Sequence, residues 1–186
     1  IVNGYTYNLD PPMFVVATQD PVGQEGTYKL PEGQLDRFNF KLVATYPSRG
    51  EEEIMLRRFK SDFYGNREDQ INPVLSGADL LKFRKVVEQI FIKDELITYI
   101  AQIVDRTRNN SDLYLGASPR ASLGILKASK ALALMNGRGF VTPDDIKKAV
   151  FPVLNHRLIL SYEREIEGIE LKEVIESLIR KVEVPK

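Results

Sequence analysis

The stretch GASPRASLGILKASKALALMNGRGFVTPDDI, residues 116–146, contains the start and end of one helix and the start of the next. Ser118 is a favoured N-cap residue, and Pro119 suits the first helical position because its missing amide hydrogen would have no partner there. Asn-Gly at 136–137 is a typical helix end, and TPDD at 142–145 repeats the start signal. The stretch therefore predicts two consecutive helices joined by a short turn.

Helical signals continue on both sides of this stretch. Ser48 with Glu51, and Ser76 with Asp79, have the spacing of capping boxes that open two earlier helices. Apolar residues at helical spacing over 96–104 predict a further helix. An apolar stripe near the end of the chain predicts a last one, and it consists of Leu171, Val174, Ile175, Leu178, Ile179 and Val182.

The first 46 residues predict strands. Asn3-Gly4 is the strongest two-residue hairpin signal. Residues 13–18 (MFVVAT) form a nearly continuous apolar run, typical of a strand buried on both faces of a parallel sheet, and alternation over 38–44 predicts another strand. The fold class is therefore α/β plus α: the end of an α/β sheet over 1–64, a linker over 65–75 and an all-helical domain over 76–186.

Composition excludes several classes of function. Lysine plus arginine equals aspartate plus glutamate, 26 of each, so no basic field indicates nucleic acid as a partner. The chain has no cysteine, which excludes disulfides and thiol catalysis and fits a cytoplasmic location. No apolar run approaches the roughly 20 residues of a transmembrane helix. Because the strand pattern begins at Ile1, we expect the chain to be part of a longer protein.

Polar side chains follow the predicted strand at 13–18. Thr18, Gln19 and Asp20 lie where ligands bind in open α/β sheets, outside the carboxyl ends of the strands. A side chain there can orient a water molecule or contact a phosphate. The alternative is a strand that simply ends in an Asp-Pro turn.

Arg37 lies between apolar residues in the sequence LDRF at 35–38. An arginine in such surroundings is costly to desolvate unless it is paired. Asp36 could pair with it, which is the structural explanation. The functional explanation is an arginine presented to a phosphate on a neighbouring subunit.

Arg120 lies in the first turn of the helix that Ser118 opens. A cation is disfavoured there, because the amino-terminal end of the helix dipole is already positive. An anion docked at this helix end would remove the conflict, and phosphate is favoured by both exposed N–H groups and a guanidinium. The alternative is a solvated surface arginine beside an ordinary Ser-Pro cap.

His156 is the only histidine, so a Ser-His-Asp triad could be built only through it. It lies in LNHRL at 154–158, at a predicted helix end. A capping or packing role is the favoured interpretation there.

Taken in order, four segments resemble the MoxR family of AAA+ ATPases over nearly the whole chain. They are ATQDP (17–21), QEGTYKLPEGQLDRF (24–38), the stretch 116–146 and PVLNHRL (152–158). The resemblance implies the C-terminal part of an AAA+ P-loop NTPase sheet followed by an all-helical lid domain. The run 13–18 is then similar to the fourth core strand, preceded by a hairpin insertion over 1–7.

The resemblance also implies roles for individual residues. Arg37 is similar to the arginine finger, which reaches ATP bound by the adjacent protomer. Arg120 is similar to sensor 2, carried on the lid and contacting the γ-phosphate of its own protomer. Asp20 occupies the sensor 1 position, with Thr18 and Gln19 as neighbouring candidates for nucleotide contact.

The sequence departs from the family pattern at two points. MoxR proteins usually carry asparagine at sensor 1, whereas Asp20 can only accept hydrogen bonds when ionised and would repel phosphate. No G-x-x-x-x-G-K-[ST] motif occurs in the chain, and no apolar strand ends in an Asp-Glu pair. We therefore expect the residues that hold ATP and Mg²⁺ to lie upstream, and these 186 residues alone to be inactive.

The resemblance implies that the parent protein is an ATPase that forms a ring, a hexamer in this family. Such proteins act as chaperone-like factors that remodel or mature partner protein complexes, and the client is not identified by the sequence. The balanced charge and the lack of a long apolar run, noted above, predict neither nucleic acid as a partner nor a transmembrane segment. A second hypothesis is a helical interaction module that keeps AAA+ features without nucleotide chemistry.

Overall fold

The structure is a computed structural model that describes residues 3–19, 30–61, 63 and 71–185. Within these ranges the chain is mostly helical. No helix there is both long enough and apolar enough to cross a membrane. The elements in chain order are α1 Glu32–Leu35, α2 Arg49–Phe59, α3 Gly77–Gln89, α4 Asp94–Arg108, β1 Leu113–Leu115, α5 Pro119–Met135, α6 Pro143–Leu154, β2 Ile159–Leu160, α7 Tyr162–Ile166 and α8 Leu171–Arg180.

The predicted helix starts are confirmed by their hydrogen bonds. The capping boxes of Ser48 and Ser76 are both present, at the starts of α2 and α3. The Ser118 hydroxyl accepts from a backbone N–H of the first turn of α5, which has Pro119 as its first residue. Gly137 follows α5 with a φ of +69°, a conformation that glycine adopts without strain. Local sequence therefore accounts for where these helices begin and end.

The core lies among the C-terminal helices, with α5 packed against α6 at its centre. Small residues allow this close approach: Gly124 faces Val153, and a Cβ added to the glycine would lie 3.1 Å from Val153 Cγ1. Ala121 and Ala128 on the same helix are also buried. Helices α4 and α8 cover the remaining faces, and the apolar stripe predicted for α8 contributes Val174, Ile175 and Leu178 to the buried set.

Strands β1 and β2 form a two-stranded antiparallel sheet that pairs Leu113 with Leu160. The sequence pattern does not predict it, because runs of three and two residues are too short to show alternation. A parallel bridge joins Phe91 to Phe140 and ties the end of α3 to the turn between α5 and α6.

The strands predicted at 13–18 and 38–44 are absent from the described residues. The apolar run from Met13 to Val16 is exposed on both faces, with Phe14 at 89%. An extended run becomes a strand only beside another strand, and the described residues offer it no partner. The second run instead bonds to α6, since Lys41 N donates to Pro152 O at 2.9 Å.

The predicted turn at Asn3-Gly4 is present, with φ of 49° and 83° at its two residues. Positive φ at both positions is the signature of a type I′ hairpin turn. Several predictions fall outside the described residues: the first hairpin residues Ile1 and Val2, the sensor 1 position Asp20, most of the loop over 19–34, and most of the linker over 65–75.

The core packing predicts a large effect of truncation in α5. Ile125 is fully buried, so Ile125→Ala should reduce the free energy of unfolding by about 2–5 kcal/mol through lost burial and a residual cavity. Chemical denaturation measures the change. Leu123→Ala, on the exposed face of the same helix, is the matched control and should change stability by less than about 0.5 kcal/mol. Equal losses in the two variants would contradict this packing.

Candidate functional site

The carboxylate of Asp36 lies at the centre of a cluster of side chains from the C-terminal helices. It accepts from Ser118 Oγ at 2.8 and 2.9 Å, from Arg120 Nη1 at 3.0 Å and from Arg157 Nε at 2.9 Å. These donors come from the start of α5 and from the chain just after α6. The acid next to Arg37 is therefore bound by the helical region and not by Arg37.

Arg157 is the buried member of this cluster, with only 2% of its side chain exposed. Besides the Asp36 carboxylate, its guanidinium reaches backbone carbonyls on both sides of Arg37. Nη2 donates to Asp36 O at 3.0 Å and to Phe38 O at 2.6 Å. Nη1 donates to Asn39 O at 3.3 Å and to a carbonyl of α6. A planar guanidinium with five donors suits this set of acceptors, and a lysine would not.

Further hydrogen bonds continue this contact along the backbone. His156 Nε2 lies 2.9 Å from Phe38 O, and Asn155 Nδ2 donates to Lys41 O at 3.0 Å. Together with the Lys41–Pro152 bond, these contacts hold residues 36–41, the docked segment, against the C-terminal end of α6. The packing role favoured for His156 is confirmed by its burial and its backbone partner.

Arg120 differs from Arg157 in its exposure, because 60% of its side chain is in contact with solvent. The anion expected at the start of α5 is supplied within the chain by Asp36. An exposed ion pair of this kind contributes little stability, about 0–1 kcal/mol. A phosphate could therefore replace Asp36 as the partner of Arg120 without a large loss.

Hydrogen bonding favours the ionised form of Asp36. Partial burial alone would raise its pKa, but donors on Ser118, Arg157 and Arg120 outweigh burial and hold the pKa below its usual value of 3.8. The carboxylate is thus negative throughout the physiological range. It can neutralise one buried arginine and still bind a second, exposed one.

The turn before α5 is held by the end of α4. Ala117 N donates to Thr107 Oγ1 at 2.9 Å, and Arg108 Nε donates to Ala117 O at 2.9 Å. Gly116 approaches α4 so closely that an added Cβ would lie 2.7 Å from Arg108 Cα. Glycine is needed there for close approach, and the contact fixes the helix end that presents Arg120.

Arg37 is exposed, and its side chain forms no hydrogen bond or ion pair with any residue that the structure describes. The structural explanation for this arginine, a pair with Asp36, is wrong, because Asp36 is engaged by Arg120 and Arg157 instead. The Arg37 guanidinium is thus available to a ligand. Arg157 holds the backbone on either side of it by binding the carbonyls of Asp36 and Phe38.

The sensor 1 candidates are not joined to this cluster. Thr18 and Gln19 are exposed and make no hydrogen bond within the described ranges. Asp20 lies outside those ranges, so its role stays a prediction. The described residues also contain no group of three or more histidine, aspartate or glutamate side chains that could hold a metal ion. We therefore assign no Mg²⁺ ligand in this part of the chain.

Two family models match the chain. The model of the AAA lid domain matches residues 105–178, which include Ser118, Arg120 and Arg157. The model described as the ATPase family associated with various cellular activities (AAA) matches residues 1–40, which include Asp36 and Arg37. The Asp36 cluster therefore joins a segment of the ATPase match to the lid.

Two known proteins resemble the chain along its whole length. It is 37% identical to Chaperone MoxR1 of Mycobacterium tuberculosis over 194 residues, covering 100% of this chain and 50% of that protein. It belongs to the MoxR-type AAA+ family. It is also 40% identical to the uncharacterised protein YeaC of Bacillus subtilis over 185 residues, covering 99% of this chain and 57% of YeaC. The chain thus spans about half the length of these relatives and corresponds to the C-terminal portion of a MoxR-type protein.

The fold also matches an experimental structure. A crystal structure of a candidate ATPase from Cytophaga hutchinsonii superposes with a TM-score of 0.88 at 37% identity, covering 100% of this chain and 58% of that one. The prediction of an AAA+ C-terminal region is therefore confirmed. The described part of this region is mostly helical and has a small two-stranded sheet.

Sequence patterns single out Arg37 and Arg120 but neither the acceptor nor the second arginine beside them. Asp36 stands out only as a possible partner of its neighbour. Arg157 belongs to a family motif that contains LNHRL, with a leucine at each end, and a buried arginine needs several acceptors. The two leucines are a signal of burial, but they do not indicate which residues supply the acceptors.

The environment of His156 predicts a low pKa. Burial lowers its pKa below 6.5, the Phe38 carbonyl opposes this, and the nearby charges of Arg157 and Lys41 lower it further, while Asp36 raises it. A lowered folded-state pKa means that the neutral form stabilises the fold. That contribution is present above about pH 6.5 and is lost as pH falls through the folded-state pKa. An NMR titration reports this group without overlap, since the chain has one histidine. A measured pKa at or above 6.5 would contradict the buried, neutral ring.

Proposed function

We propose that this chain supplies the arginine finger and the sensor 2 lid of an ATP-hydrolysing MoxR-type protein. The observation that carries the proposal is the state of Arg37. Its guanidinium is exposed and has no partner among the described residues, although an acid stands next to it in the chain. The surrounding structure engages that acid elsewhere, so the charge of Arg37 remains for a ligand.

A phosphate group of ATP is the ligand that fits this arrangement. Guanidinium groups bind phosphate oxygens with two parallel hydrogen bonds and stay charged at any physiological pH. An arginine inserted at a transferring phosphoryl group stabilises its charge and is commonly worth 10³ or more in rate. Arg37 would act in this way on ATP bound by the adjacent protomer of a ring. Residues outside this chain would supply the phosphate-binding loop and the ligands of Mg²⁺.

The cluster favours a particular placement of Arg120. Asp36 contacts Arg120 directly and is the chain neighbour of Arg37, so the two arginines belong to one face of the same protomer. We therefore propose that Arg120 serves the same triphosphate as Arg37, across the subunit boundary. Contact with ATP of its own protomer, as the family resemblance implied, is the alternative.

The parent protein would couple this hydrolysis to chaperone-like remodelling of partner complexes in the cytoplasm, as a hexameric ring. The name of the relative MoxR1 as a chaperone supports the first part of this proposal. The competing function is a non-catalytic interaction module. The gene sequence upstream of Ile1 separates the two, because catalysis needs a phosphate-binding loop there and the module does not.

Loss of the finger should stop hydrolysis without preventing binding. In the full-length protein, Arg37→Ala is expected to lower the ATPase rate by about 10³-fold and to leave the affinity for ATP within about twofold. Steady-state hydrolysis and equilibrium titration with a fluorescent ATP analogue measure the two quantities. Arg49→Ala, at an exposed arginine of α2, is the control and should retain the wild-type rate. Wild-type turnover in Arg37→Ala would refute the finger assignment.

Mixing two variants tests which protomer Arg120 serves. Arg120→Ala, like Arg37→Ala, is expected to be inactive when assembled alone, and its steady-state hydrolysis is measured first. Arg37→Ala and Arg120→Ala subunits are first unfolded or dissociated together and then reassembled in equal amounts. If both arginines act on the neighbour's ATP, every site in a mixed ring lacks one of them, and the mixture stays inactive. If Arg120 serves its own protomer, about one site in four regains both groups and activity returns. Recovered hydrolysis would therefore overturn the placement proposed for Arg120 while leaving Arg37 as the finger.

A further inference from the structure

The backbone on either side of Arg37 is held by a single side chain. Arg157 Nη2 donates to the carbonyls of Asp36 and Phe38, the residues that flank Arg37, and Arg157 Nε binds the Asp36 carboxylate. Two carbonyls that bracket one residue constrain its φ and ψ more than any single contact would. The direction in which Arg37 leaves the backbone is thus set from the lid.

We propose that Arg157 is a positioning residue that locks the arginine finger to the lid, so that the two move as one rigid body. The inference rests on the proposed role of Arg37 as the finger. Arg157 does not touch the nucleotide in this scheme. It acts through the backbone of the docked segment, residues 36–41.

The free-energy cost of separating the docked segment from Arg157 favours a contact that persists while the lid moves. If the docked segment left the lid, the guanidinium of Arg157 would lose its only carboxylate partner among the described residues, together with its carbonyl acceptors in that segment. Hydrogen bonds of a charged group are stronger than those between neutral groups, so breaking several of them at once is unfavourable. Arg120 binds the same carboxylate from an exposed position, so its contact can exchange with a phosphate. Asp36 therefore has one permanent arginine partner and one exchangeable partner.

Other contacts extend the lock along the segment. His156 and Asn155 bind the carbonyls of Phe38 and Lys41, and Lys41 N donates to the last turn of α6. These contacts add to those of Arg157, so a rotation of the lid would carry Arg37 with it.

A purely structural role for Arg157 is the competing explanation, since its Nη1 also binds the carbonyl of Val153 within α6. Such a role would change stability without separating ATP binding from hydrolysis. The kinetic pattern distinguishes the two, because a misplaced finger affects the transition state and leaves ground-state binding in place.

The test uses Arg157→Lys in the full-length protein, which keeps the charge and loses the planar fork. We expect kcat to fall by about 10²-fold, as a displacement of about 1 Å at a reacting group can cause, with the affinity for ATP unchanged within about twofold. Arg138→Lys is the matched control: Arg138 also binds a carboxylate of α6, Asp145, with two hydrogen bonds, at the opposite end of that helix. It should keep the wild-type kcat.

The Arg37→Ala variant distinguishes a failure of the proposed function from a failure of the positioning role of Arg157. If that variant hydrolyses ATP at the wild-type rate, the proposed function fails. If it is inactive but folded Arg157→Lys has wild-type kcat, only the positioning role fails. A parallel loss of ATP affinity and kcat in folded Arg157→Lys would also overturn that role and indicate a structural one.

A distance measurement that leaves Arg157 in place keeps the inference testable if the Arg157 variants do not fold. This chain has no cysteine, so in the full-length protein, after replacement of any cysteine outside this chain, spin labels can be attached at Gln34→Cys on α1 and Lys148→Cys on α6, both exposed positions. Pulsed EPR should give one narrow distance that is the same without nucleotide, with ADP and with a non-hydrolysable ATP analogue. A distance that changes with nucleotide would show that the docked segment and the lid move separately, which would overturn the inference.

Discussion

The position of the docked segment, residues 36–41, depends on one carboxylate, that of Asp36. It is 17% exposed and accepts hydrogen bonds from Ser118, Arg120 and Arg157, which come from two parts of the lid. Burial opposes the charge of such a group, and the hydrogen bonds of these donors outweigh burial and hold its pKa below the usual value. Without that charge, Arg157 would be a buried cation with carbonyl partners alone, and the docked segment would lose its strongest contact with the lid.

The two arginines around this carboxylate differ in what they can do because they differ in exposure. Arg157 is enclosed and bound on every side, so its hydrogen bonds stabilise one arrangement of the chain. Arg120 lies at the surface at the start of a helix, where an anion is favoured and where phosphate can compete with Asp36. One acid thus connects a buried contact, that of Arg157, with an exposed contact, that of Arg120, which nucleotide would replace in the function proposed. This provides a physical route by which phosphate at one site could bias the lid and, with it, Arg37.

The region before α2 shows how much a strand depends on its neighbours. The run at 13–18 has the composition of a buried strand, yet in the described residues it is exposed on both faces and unpaired. Its composition is typical of a strand with neighbours on both sides, and no such neighbour is found among the described residues. The helical lid differs, because α5 and α6 bury their small and branched residues against each other, and α4 and α8 complete the core within the described residues.

The sequence by itself determined the helices of the lid, since caps such as Ser76 and Ser118 act on amides within one turn. It also identified Arg37 and Arg120 as charges in unfavourable places. Only the tertiary structure decided that Asp36 binds Arg157 and Arg120 and leaves Arg37 exposed. Those contacts join residues 121 and 84 positions apart, and no local pattern records which distant donor will reach an acid. Hydrogen bonding inside a helix is local, whereas neutralising a buried charge depends on whatever the fold brings beside it.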